Sequence, residues 1–121
     1  MRRNSILILS PNFKIYIMSF NGNEGDFITL REGSEMTKRY RDTIQPGEVI
    51  GVFMGKEKIK AILDQSECKG IRFYFAVNDR GENTLVLVGA DSNQNDMVNG
   101  LIADNCPPCP NICGNSNNLN S

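Results

Sequence analysis

The chain has 121 residues and a mass of 13.5 kDa, and the scaling of surface with size lets such a chain bury about two thirds of its unfolded surface around one core. With 40% hydrophobic and 22% charged residues and a formal net charge of −1, it is neither disordered by composition nor basic enough for a nucleic-acid partner. No apolar run approaches the roughly 20 residues of a membrane span, and the absence of histidine excludes Ser-His-Asp and Cys-His catalysis and the HExxH type of zinc site.

Residues 1–17, MRRNSILILSPNFKIYI, hold three basic residues and no acidic one, while the remaining 104 hold ten basic and fourteen acidic. Arg2 and Arg3 precede an apolar stretch, but Ile6 to Leu9 is too short for the core of a secretory signal and no small-residue cleavage site follows. Two readings stay open for this segment: a β-strand leading into the domain, or sequence upstream of a start at Met18. Asn21 to Gly25 is a polar turn. Thr29 and Glu32 then have the T-x-x-E spacing of a capping box. The spacing predicts a helix over 30–43 with Leu30, Thr37, Tyr40 and Ile44 on one stripe, Met36 beside it, Glu35 and Arg39 outside, and Pro46 and Gly47 as its stop.

Val49 to Met54 has the β-branched and aromatic character of a short strand ended by Gly55. In KEKIKAILDQ the period changes: Ile59, Ile62 and Leu63 share one face and the lysines another, which predicts a second helix of about ten residues. From Ile71 to Val77 alternation returns, with Ile71, Phe73, Phe75 and Val77 on one face and Arg72, Tyr74 and Ala76 on the other. After NDRGEN, the run from Thr84 to Gly89 is apolar on both faces, as expected of a central strand. The two strands form a hairpin, with Gly81 available for a positive φ. Paired with the Val49 strand, they give an antiparallel sheet of three or more strands for both helices to pack on, an α+β fold. Met97 to Ala103 fits one helical turn or an edge strand. A Cys/Pro/Asn-rich tail over 106–121 follows, and its last eight residues are expected to lack fixed structure.

The hairpin GIRFYFAVNDRGENTLVLVGADSNQNDM, followed by LIADNCPPCPNIC, resembles a group of bacterial proteins of about a hundred residues, the size of one small domain. In that group the pattern runs G-I-R-x-Y, a turn, L-V-L-V-G-x-D with N-D-x, and then a P-C-P-x-x-C tail. The resemblance covers about Met18 to Cys113 and implies a stand-alone domain with Met18 as its start; the chain itself divides into 1–17, a single α+β domain over 18–105 and the tail. It implies no activity, ligand or partner.

Four cysteines carry the most chemistry: Cys68, and Cys106, Cys109 and Cys113 in a C-x2-C-x3-C run. Four thiolates suit tetrahedral zinc or an iron–sulfur cluster. Against this stand the lone upstream Cys68 and the prolines at 107 and 108, which remove amides that would otherwise donate to sulfur. Cys106-Pro-Pro-Cys109 also has the C-x-x-C spacing of a redox pair, but without a βαβ pattern upstream. The remaining readings are reduced thiols packed as small apolar residues or, in an exported protein, disulfides. Asp91 to Asp96 starts like a calcium loop, yet Asp96 stands where glycine is wanted and Ile102 where a bidentate glutamate belongs, so a polar Asx turn is expected.

Asp79 and Glu82 lie in the hairpin turn, where solvent keeps carboxylates ordinary. Lys38, Arg39 and Arg41 are interleaved with Glu35 and Asp42 and read as a solvated helix face. Gly55-Lys56 has the placement of a phosphate loop without its motif. Arg72 beside Tyr74 can stack, or pair with a carboxylate of a partner or of its own sheet face. The functional expectation is a non-catalytic, cytoplasmic protein-interaction or self-assembly module with Arg72 and Tyr74 at its contact face, no cofactor, and a protein partner or second copy as its ligand. The alternative is a metalloprotein in which Cys68, Cys106, Cys109 and Cys113 hold zinc or an iron–sulfur cluster.

Overall fold

A computed structural model describes the backbone of residues 7–9 and 15–17 and all residues from Ser19 to Ser121. Met18, the expected start, lies outside the described residues. The elements run β1 (Leu7–Leu9), β2 (Ile15–Ile17), α1 (Leu30–Arg41), β3 (Gly51–Val52), α2 (Lys56–Leu63), β4 (Gly70–Val77), β5 (Asn83–Ala90), β6 (Ile102–Ala103) and β7 (Pro108–Cys109). Two helices and antiparallel sheets make the fold α+β. The contacts group into two compact units.

The first unit holds the described residues up to Gly25 together with Gly55–Tyr74 and Val86–Ala103. It contains β1 paired antiparallel with β2, helix α2, the base of the β4–β5 hairpin, and β6. In the three-stranded sheet β5 lies between β4 and β6, with Leu87 opposite Ala103 and Val88 opposite Ile102. The central position expected of the doubly apolar strand is therefore found. Its buried residues are Leu87, Val88, Gly89 and Ala90, and the buried residue of α2 is Ile62. Gly89 is closely packed: a Cβ there would press on the sulfur of Cys68 at 3.0 Å and that of Met97 at 3.2 Å.

The second unit holds Asp26–Met54, Phe75–Leu85 and Asp104–Ser121. The capping box at its first helix forms as the sequence specifies. Thr29 Oγ1 accepts from Glu32 N at 3.1 Å and Glu32 Oε2 accepts from Thr29 N at 3.2 Å. Helix α1 ends at Arg41, with ion pairs Arg31–Glu35 and Lys38–Asp42 four residues apart. The expected apolar stripe of α1 is not buried, and no residue of this helix is. At the hairpin tip Asn78 N donates to Glu82 O at 2.9 Å and Gly81 takes the positive φ anticipated for it, +77°.

One strand pairing differs from expectation. β3 pairs antiparallel with β7, Gly51 opposite Cys109 and Val52 opposite Pro108, and the third strand beside the hairpin is β6. The physical reason lies in the tail. A prolyl residue cannot donate to a ladder, but its carbonyl can accept, and Pro107 O takes Phe53 N at 2.9 Å while Cys109 O takes Ile50 N at 2.8 Å. The tail is therefore part of the second unit. Residues 114–121, expected to lack fixed structure, contain an asparagine-rich turn in which Asn117 Oδ1 accepts from Leu119 N at 2.7 Å and Asn120 Oδ1 from Asn117 N at 2.8 Å. The Arg41 guanidinium donates to the backbone oxygens of Leu119 and Ser121.

Candidate functional site

Two constellations stand out, one in each unit. In the first unit, alternation along β4 places Arg72 and Tyr74 on one face, and the turn after β5 delivers Asp96 to both. The guanidinium of Arg72 and the hydroxyl of Tyr74 donate to opposite oxygens of the Asp96 carboxylate. Arg72 also donates to Gln94 O at 3.1 Å and lies 5.6 Å from the centroid of the Phe20 ring, within reach of a cation–π attraction.

The hydrogen bond from Tyr74, opposed by desolvation and reinforced by Arg72, holds the Asp96 carboxyl below its usual range. The same bond raises the Tyr74 phenol above its usual range, and Asp96 raises Arg72. The two residues expected at a contact face thus have their polar ends engaged inside their own unit. Asp96 supplies the carboxylate that the sequence reading of Arg72 left open.

In the second unit, Met36, Thr37, Tyr40 and Arg41 of α1, the segment Val49–Val52 around β3, and Phe75, Ala76 and Asn83–Leu85 of the hairpin tip line a groove of about 640 Å³. Its walls are mostly apolar. Phe75 is 94% exposed and Met36 57%, and beside β3 Phe53 is 64% exposed. Polar groups are few: Asn83 Nδ2 donates to the Tyr40 hydroxyl at 3.5 Å, and Thr37 Oγ1 donates to Ser34 O. Sequence reading missed this groove. The sequence presents Tyr40, Met36 and the Val49 run as apolar positions suited to helix-on-sheet packing, whereas Met36 and Tyr40 are exposed.

Cys109 and Cys113 are joined in a disulfide, which leaves neither as a thiolate ligand. Cys106 is buried with its thiol directed at Leu85 O, 3.5 Å away, and Cys68 is half-buried with its thiol 3.2 Å from Gly70 O. Among the described residues no group of three or more His, Cys, Asp or Glu side chains is placed to hold a metal ion.

The Asp91–Asp96 segment is an Asx turn: Asp91 Oδ1 accepts from Asn93 N at 2.9 Å and Asn95 N at 3.0 Å. In the hairpin turn, hydrogen bonds from Asn78 first and Arg80 second hold Glu82 below the usual carboxylate range, which keeps it ionised. Gly55 caps α2 without a side-chain bond.

Comparison with known protein families, with curated proteins and with solved structures gave no match. Among the described residues no helix is long and apolar enough to cross a membrane.

Proposed function

We propose that the protein is a non-catalytic interaction module and that the groove of the second unit receives an apolar segment of another polypeptide, from a partner or from a second copy. The observation that carries this reading is the inversion of burial in that unit. Its amphipathic helix buries no residue, and its only buried apolar side chains are Val49 and Cys106, whereas Met36, Tyr40, Phe53 and Phe75 face solvent. Clustered exposed apolar side chains with a polar rim are the mark of an interaction surface. The exposed aromatic rings are of the kind that anchors interfaces.

The apolar side chains of the groove are exposed, which suits a chain lying across it better than a small ligand that needs most of its surface covered. Catalysis has no set of groups here. The groove holds no carboxylate, and Arg41 is engaged with the tail.

The test uses a random peptide library displayed on phage, together with sedimentation over a range of protein concentrations. The wild-type chain is expected to select peptides with aromatic or branched apolar anchors, or to self-associate, and Phe75→Asp to lose either property. A chain that selects nothing and sediments as a monomer throughout would overturn the proposal.

A further inference from the structure

We propose that the Cys109–Cys113 disulfide is a redox latch on the groove, closed in the oxidised protein and released by a dithiol reductant. This rests on the groove reading above. Three observations in the second unit carry it.

First, the disulfide sits on the strand that backs the groove wall. Cys109 lies opposite Gly51 in the β3–β7 ladder, and Ile50, Gly51 and Val52 line the groove. Second, that ladder is short. It spans two residues on each side, and the prolines at 107, 108 and 110 leave β7 poor in donors, so the tail is held mainly through carbonyls that accept from Ile50 N and Phe53 N. A ladder of this length is marginal without further support. Third, the loop that the disulfide closes folds back on the strand itself, Ile112 N donating to Pro108 O at 2.7 Å. From the other side, Cys106 reaches Leu85 O, and Leu85 is another lining residue. The cross-link thus restrains the segment that pairs with β3.

The redox step balances with one dithiol as co-reactant. Its thiolate attacks one sulfur of the Cys109–Cys113 bond and forms a mixed disulfide. Its second thiol then displaces the protein sulfur, so Cys109 and Cys113 end as thiols and the reductant leaves as its own disulfide. Release raises the freedom of the 109–113 segment, lowers the free energy of opening the β3–β7 ladder, and loosens the wall.

The experiment compares oxidised full-length chain, the same protein reduced with dithiothreitol, and the C109S/C113S double variant. Thiol titration sets the state, with two free thiols before reduction and four after. Amide hydrogen exchange at Ile50 and Phe53 reads the ladder, Leu87 serves as a control amide in the other unit, and the probe 1-anilinonaphthalene-8-sulfonate reads the groove.

Reduction is expected to speed exchange at Ile50 and Phe53 and to weaken probe affinity, each by about fivefold or more, the lower range of ordinary coupling between sites. The double variant is expected to behave as reduced protein under both conditions. Unchanged exchange, unchanged probe affinity or tighter probe binding on reduction each overturns the latch. Should Phe75→Asp leave probe binding by the oxidised protein intact, the groove reading itself fails, while exchange at Ile50 and Phe53 still reports on the latch.

Discussion

Asp96 is the residue on which the polar chemistry of the first unit turns. Its carboxylate accepts from both Arg72 and Tyr74, and each bond is made to the ionised form. Because the carboxyl is held below its usual range, its contribution to stability is full at and above that range and fades as pH falls through the lowered value. The Tyr74 phenol is shifted upward, so its share is full below the ordinary phenol range and is lost as pH rises through the raised value. Between those limits the cluster is indifferent to pH.

Replacing Asp96 with Asn is expected to return the phenol of Tyr74 toward its ordinary range and to remove the Asp96 share of the acid-side dependence of stability. Phenolate absorbance during an alkaline titration measures the first effect, with Tyr74→Phe identifying the signal. An unchanged titration in D96N would contradict the arrangement. Sequence alone leaves Arg72 open to stacking or to pairing with a carboxylate. It could not choose among the acids present, because Asp96 lies 24 residues further on and reaches the strand only through the fold of the Asx turn.

At the scale of elements, α1 depends on its own ends to an unusual degree. Most helices in folded proteins are held by an apolar face against a core, and α1 buries none of its residues. The reciprocal bonds of Thr29 and Glu32 therefore carry a larger share of its stability. Thr29→Ala is expected to cost about 0.5–2 kcal/mol, the range for loss of an N-cap oxygen. The cost should appear as reduced helical circular dichroism and faster exchange at the Glu32 amide, while the amides of α2 stay protected. Exchange that is unaltered at Glu32 would show the cap to be dispensable.

The elements that sequence predicted well are those whose signals are local. The T-x-x-E box starts α1, Gly81 turns the hairpin, and the doubly apolar run Leu85–Val88 makes β5 the central strand. The elements it missed depend on distant partners. β7 contains a proline, which counts against a strand in any local reading, yet it pairs with β3 because acceptors suffice on that side. The face Phe73–Phe75–Val77 has the alternation of a core-facing strand, but its side chains are exposed, and alternation by itself does not say which face is covered.

Across the molecule the two units divide the apolar residues differently, and stability and recognition divide with them. Ile62 and Leu87 are each 1% exposed and serve the first unit as core. Truncating Ile62 to Ala removes buried methyl groups and leaves a cavity, for an expected loss of about 2–5 kcal/mol in urea unfolding followed by circular dichroism. Phe75, in the second unit, is as apolar as either but 94% exposed, so little of its surface is removed from water by folding.

Phe75→Asp is therefore expected to change unfolding stability by no more than about 0.5 kcal/mol, although it replaces the most apolar kind of side chain with a charge. A loss comparable to that of I62A would mean that Phe75 is covered in solution and contributes to a core. With folding unaffected, what the substitution removes is the apolar surface itself, so any loss of peptide selection or self-association in the same variant reports on recognition and not on an unfolded chain.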